Sequence, residues 1–255
     1  MLVKSESGVG HWYDQEGKPA YTIIGKNGKE RNTTLRDART LNLYPSVTTI
    51  ISVAAKPGLE RWKQEQLLLA SLTLPRYEGE AETDWIARVV QDGRSVSKDA
   101  AKRGTDIHNV LESYFSLDFL PEWPVYVHHV QEELNKFFGL QSWIAEASFS
   151  EKTLRFGGKV DLYCKENIVE GFPGIVIDFK TTTKPLDKIS VVSDHEMQLA
   201  AYRQGLELYS GKCAICYINA ETNDVKLIEI DSDTLETAWL SFTHLLAYYQ
   251  TQNNI

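Results

Sequence analysis

Cysteine is scarce in this chain: three residues in 255, Cys164, Cys213 and Cys216. Three is too few, and odd in number, for a disulfide framework. Cys213 and Cys216 form a Cys-x-x-Cys, but they sit in the apolar run Cys213–Ile218, which reads as a buried strand in a reducing compartment. A structural zinc or iron–sulfur site would want a fourth cysteine, so no cluster is expected. Long apolar runs are missing too. No stretch approaches the roughly 20 apolar residues of a membrane span, and the segment from Met1 to Glu6 lacks the apolar run of a signal peptide. The expectation is a cytoplasmic protein with no membrane partner. No Gly-x-x-x-x-Gly-Lys-Ser/Thr loop occurs, which excludes a built-in ATP-driven motor. No internal repeat or low-complexity tract is visible. A basic excess is also absent: the formal net charge is −8 and the pI about 5.3. Phosphate binding favours a basic surface, so this balance argues mildly against a nucleic-acid partner. Metal-binding carboxylates would add negative charge within a site, however, and a local basic groove can coexist with an acidic exterior.

What is present is ordinary for a soluble globular chain: 42% hydrophobic and 24% charged residues. The length suits one sizeable domain, or a core plus a smaller decorated half. In the first part, residues 11–24 read as a hairpin around a turn at Asp14–Lys18, and Asn27-Gly28 marks a further turn. Ser46 can cap a helix from Val47 to Ala55, and Pro57 opens another from Gly58 to Leu72. Helices are expected over 82–91, over Ser97–Leu117, and from Trp123 to a stop at Gly139. From Ser142 the period changes. Trp143–Phe149, Leu154–Tyr163 and Ile175–Phe179 read as strands, followed by a helix over Asp194–Tyr209, strands Lys212–Asn219 and Val225–Ile230, and a closing helix Thr234–Tyr249. The expected fold is an α/β core with a mostly helical elaboration in front of it. We place the elaboration at residues 1–93 and the core at 94–255, as parts of one compact unit.

The chemistry is carried by four spaced motifs. The strand Ile175-Val176-Ile177-Asp178-Phe179-Lys180 puts Asp178 and Lys180 on one face. Alone, this reads as a salt-bridged strand end. Upstream, Gly157-Gly158-Lys159-Val160-Asp161 puts a second carboxylate on the preceding strand, and neighbouring strands lie only about 4.8 Å apart. Two such carboxylates can converge on one hard cation, Mg²⁺ or Mn²⁺ rather than zinc. His108 and Glu112, four apart on a predicted helix, share a face, as do Gln198 and Tyr202 on another. Alone, the first pair reads as a surface hydrogen bond and the second as a solvated stripe.

Taken in order, Gly104-Thr105-x-x-His108-x-x-x-Glu112, Gly158-x-x-Asp161, Asp178-x-Lys180 and Gln198-x-x-x-Tyr202 resemble the motif series of RecB-like nucleases in the PD-(D/E)XK superfamily. The resemblance covers about residues 97–230 and is closest in layout to phage-type and mitochondrial genome-maintenance exonucleases. It implies a central mixed sheet flanked by helices and a metal-dependent DNA exonuclease of replication, recombination or repair. It also implies roles. His108, Asp161, Asp178 and the carbonyl of Phe179 would hold Mg²⁺ or Mn²⁺. Lys180 would activate the attacking water or stabilise phosphate charge. Gln198 and Tyr202 would orient the site, and Glu112 would stand behind the ligands. Relatives with this series often carry a four-cysteine iron–sulfur cluster, for which this chain lacks the cysteines.

Outside the motifs, Arg94, Lys98 and Lys102, with Arg103 beside them, form a basic stripe that Lys184 and Lys188 could extend as a phosphate track. The interleaved Asp92, Asp99 and Asp106 allow the plainer reading of a solvated face. Trp62, Trp85 and Tyr77 read as core residues rather than base-stacking platforms. The expected partner is DNA, with single-stranded ends favoured because the helical front half can arch over the site. A single-strand-binding or recombination partner is left open. The competing functions are a non-catalytic DNA-binding module, a structure-specific endonuclease, and a sugar hydrolase with paired carboxylates, which would not use Asp-x-Lys.

Overall fold

The computed structural model describes residues 10–116, 122–167 and 171–255. Met1–Glu6 and Leu117, on which two of the expectations above fall, lie outside the described residues. The chain forms two compact units, one made of the residues up to Val53 together with Val110–Ile255, the other of Ala54–Asn109.

The first unit carries a five-stranded mixed sheet in chain order: β5 (Ile144–Glu151), β6 (Phe156–Cys164), β7 (Ile175–Thr182), β8 (Lys212–Asn219) and β9 (Val225–Ile230). Neighbours are antiparallel except β7 and β8, which run parallel. A parallel pair needs a crossover, and α6 (Ser193–Gly205) supplies it. Strand β8 is buried along almost its whole length, as suits a strand with covered faces. Helix α7 (Ser232–Asn253) packs on α6, and both enclose a cluster with Val176, Cys213, Ile215 and Tyr217. Helix α5 (Val125–Phe138) packs on β8 and β9 through buried Val127, Val130 and Leu134, which recur at helical spacing. All three cysteines are buried and unbridged. Burial pushes the Cys213 thiol up to about 12 and that of Cys216 further still, as befits inert core residues.

Strands β6 and β7 pair only from Leu162–Ile177 to Cys164–Ile175. The next pair in that register would set Asp161 opposite Asp178, and there the ladder stops. Strand β7 continues beside β8 to Thr182, while β6 runs back to Phe156 beside β5, so the sheet forks at the two aspartates. The N-terminal segment packs on β6 beyond the fork. There β1 (Trp12–Tyr13) pairs with β4 (Tyr44–Pro45), both strands contact β6, and Ser46 bridges Gly157.

This segment departs from the sequence reading. The Asp14–Lys18 turn forms, closed by a hydrogen bond from the Asp14 N–H to the Lys18 carbonyl, and Ala20 donates back to Trp12. The expected 11–24 hairpin is closed by an antiparallel bridge of Tyr13 with Pro19 but does not extend to Thr22–Ile24. Strand β2 (Thr22–Ile24) pairs instead with β3 (Glu30–Asn32) across the Asn27-Gly28 turn, where Gly28 takes a φ of 73°. Trp12 and Tyr13, each 2% exposed, go to the core with β4. Helix α1 (Leu35–Leu41) starts on a capping box between Thr34 and Asp37, and α2 (Val47–Ile51), capped by Ser46, is shorter than expected. The front half is therefore not mostly helical before Pro57.

In the second unit, α3 (Pro57–Thr73) opens on its proline as the sequence indicates. The two helices expected over 82–91 and 97–117 are one: α4 (Glu82–Phe115), whose residues from Val110 onward belong to the first unit. Gly93 lies mid-helix because a Cβ there would come within 2.9 Å of the Leu67 side chain on α3. Trp62 and Trp85 are only half-buried, and Tyr77 is 61% exposed beneath the Arg88 guanidinium, so the three are not the core residues they read as. Among the described residues no helix is long and apolar enough to cross a membrane.

Candidate active site

Five of the predicted site residues meet at the fork. Asp161, half-buried on β6, accepts a 2.7 Å hydrogen bond from the Phe179 backbone N–H on β7. That bond spans the point where the ladder has stopped, so a side chain takes the place of a backbone pairing. Asp178 is 2% exposed and is ion-paired with Lys180, two residues on along the same strand face. The Lys180 ammonium also donates to Gln198 Oε1 at 3.1 Å, and Gln198 Nε2 donates to the Tyr202 hydroxyl at 2.8 Å. Gln198 and Tyr202 lie one turn apart on α6, so one helix face steers the lysine toward the carboxylates. Burial holds the Tyr202 phenol well above its usual range, and the charges of Asp178 and Asp161 add to this. Both carboxylates therefore sit near that phenol. A protonated, uncharged Tyr202 is the form the site keeps.

Gly157 and Gly158 set how closely β6 is approached. A Cβ on Gly158 would lie 2.8 Å from the Phe149 ring and 2.9 Å from that of Tyr202; one on Gly157 would lie 2.7 Å from Tyr13.

Three residues near the site were not singled out in the sequence. Tyr217 on β8 stands in register beside Lys180, and its hydroxyl bonds His195 Nδ1 at 3.1 Å. Its phenol is pushed up to about 12, by burial first, then by Asp178 and Glu196. His195 precedes Gln198 by three on α6, a spacing that could have flagged it. Tyr13 lies near enough to Tyr202 to raise its pKa further, which no short-range pattern signals.

The remaining predicted residues are placed as follows. Phe179 stacks on Phe115 at a centroid distance of 6.3 Å, which brings the end of α4 to β7. Glu112, half-buried, is three residues before Phe115 on that helix and belongs to the same unit as the sheet. His108, half-buried, belongs to the Ala54–Asn109 unit. Arg94, Lys98, Lys102 and Arg103 are exposed on the same unit's part of α4, and Lys102 pairs with Asp106 at 3.0 Å. Lys184 is exposed just beyond β7, and its carbonyl accepts from Asn219 Nδ2 at 3.1 Å.

Among the described residues, no group of three or more His, Cys, Asp or Glu side chains is gathered to hold a metal ion. The fork offers two carboxylates on adjacent strands. In donor chemistry that set suits a hard cation and not a soft one.

No protein family matches the chain, and no curated protein does. Among solved structures, SSO0001 shares 16% identity over 73% of this chain and 86% of its own, with a TM-score of 0.31. A Eubacterium rectale protein named "Putative exonuclease" shares 12% identity over 60% of this chain and 68% of its own, with a TM-score of 0.42.

Proposed function

We propose that this chain is a divalent-metal-dependent deoxyribonuclease of the PD-(D/E)XK type, acting as an exonuclease on single-stranded DNA ends. The observation that carries the reading is the meeting of Asp161, Asp178, Lys180, Gln198 and Tyr202 at the fork in the sheet. Three motifs that each read as bland alone would not be expected to join in one hydrogen-bonded chain by accident.

In this reading Asp161, Asp178 and the Phe179 carbonyl would hold Mg²⁺ or Mn²⁺, and Glu112 would support them from behind. A bound divalent ion supplies charge neutralisation at phosphorus and a more acidic water. The protein's own part is positioning. The Lys180 ammonium, steered by Gln198 and balanced by Asp178, stabilises charge on the phosphate and orients the attacking water. Tyr202, kept protonated by burial, anchors Gln198 and so fixes the lysine. Lys184, exposed just beyond β7, would meet the phosphates.

The test is digestion of 5′- and 3′-labelled linear oligonucleotides with Mg²⁺ or Mn²⁺ and in excess EDTA. The expected result is stepwise cleavage from one end that chelator abolishes. Full activity in EDTA, or no cleavage with either ion, overturns the reading.

A further inference from the structure

The fork has a wall with no role so far, the N-terminal segment packed on β6. It ends in an aromatic pair. His11 and Tyr21 stack at a centroid distance of 4.6 Å and an interplanar angle of 27°. Tyr21 is held edge-on to buried Tyr13, with the two hydroxyls 2.5 Å apart. Tyr13 presses on Gly157, four residues before Asp161 on β6. Contacts thus run from the aromatic pair through Tyr13 to β6, the strand that carries Asp161 to the fork.

The pair is also held still. The His11 N–H donates to Thr49 Oγ1 at 3.1 Å, and its carbonyl accepts from Ser46 at 2.9 Å, the cap residue of α2. The backbone of His11 is therefore pinned on both sides while the residue itself is exposed. A ring that merely covered Tyr13 would not need a second ring stacked on its outer side. Two fixed, stacked rings beside a phosphodiester-cleaving site suit one ligand chemistry. An unpaired nucleobase has a π-face whatever its identity, and stacking on aromatic side chains is how single strands are held without sequence preference.

We propose that His11 and Tyr21 form a base-stacking shelf for an unpaired nucleotide of a single strand bound at the fork. The proposal rests on the nuclease reading for its location and is tested by binding. The probe is a single-stranded oligonucleotide with 2-aminopurine at successive positions from either end, titrated with the full chain in EDTA. Wild-type protein should quench the fluorophore at one or two terminal positions. His11→Ala, an exposed change, and Tyr21→Leu should each lose that quenching and bind about tenfold more weakly. Tyr21→Phe, which keeps the ring and loses the hydroxyl, should retain quenching. Replacing the quenched base with an abasic site should remove the difference between wild type and His11→Ala. Equal quenching and affinity in wild type and His11→Ala overturn the shelf, as does a wild-type protein that quenches no position. The urea midpoint of each variant reports its folding separately. A wild-type chain that binds and quenches but never cuts would overturn the nuclease reading and leave the shelf standing.

Discussion

Gly158→Ala probes how the site is tuned by packing. The new methyl would stand 2.8 Å from two atoms of the Phe149 ring and 2.9 Å from Tyr202 Cε1. Carbon atoms rest at about 3.5–4.0 Å, so each ring must retreat by about 0.6 Å or more. Phe149 has little room, being set edge-to-face against Phe156 and Tyr202 and close over Gly205. Forced repacking of this kind costs about 1–3 kcal/mol. With a urea slope near 3 kcal/mol/M, the unfolding midpoint should fall by about 0.3–1 M. Tyr202 carries the functional consequence. Its retreat would stretch the 2.8 Å bond from Gln198 toward breaking and loosen the hold on Lys180. A loss of about 1.4 kcal/mol in the transition state lowers kcat about tenfold. Gly157→Ala is the matched control, because its methyl meets Tyr13 at 2.7 Å instead. It should destabilise to a similar degree, raise KM and spare kcat. Urea unfolding and steady-state digestion of a labelled strand measure both. If Gly158→Ala shifts the midpoint but keeps kcat within about twofold, Tyr202 does not steer Lys180. If the midpoint does not move, the packing account is wrong.

Lys180→Ala should lower kcat at least about a hundredfold, the usual contribution of a positioned proton-handling group; oligonucleotide affinity in EDTA should change little, and a variant cutting near the wild-type rate would refute the role. Closed circular single strands should resist digestion under conditions that degrade linear ones, and affinity should fall steeply with salt despite the net charge of −8; rapid cutting of circles would show an endonuclease. Stability should decline between about pH 10 and 12. The Tyr217 phenol, raised from 10.0 to about 12, stays neutral in the fold while the unfolded chain ionises, so its stabilising effect is complete below pH 10 and lost as pH rises above it. Urea midpoints across that range should fall less for Tyr217→Phe than for wild type, and equal slopes would refute the assignment.

The half of the chain after Ser142 was legible almost element by element, because its strands either alternate or run apolar between turns, and its helices are long enough to be told from strands. The N-terminal segment was not. Strands of two or three residues carry too little pattern, and their partners are remote in sequence: β1 finds β4, not the adjacent β2. The capping box of Thr34 and Asp37 was present to be read, but without a strong apolar stripe after it. The break expected between 91 and 97 failed because Gly93, a helix weakener by propensity, serves the close approach of Leu67. At the candidate site, Asp161, Asp178, Lys180, Gln198 and Tyr202 were brought out by the resemblance of the ordered motif series to RecB-like nucleases, since each short motif alone reads as bland. His195, Tyr217, Tyr13 and the aromatic pair were hidden, because their relation to the site depends on a parallel register and on a fork in the ladder.

The N-terminal wall also has a consequence for the order of assembly. Ser150 Oγ bonds the Gln15 carbonyl across 135 residues, and Arg39 Nε bonds the Asn253 carbonyl across 214. At roughly 5–20 residues per second, the ribosome needs about 7–27 s to make the first of these contacts possible. During that interval Trp12, Tyr13 and Tyr44 have no β6 to cover them. This segment, synthesised well before β6, is thus among the last to dock, so slow translation or a destabilised β6 would expose these aromatics to a chaperone or a protease before any part of the site exists.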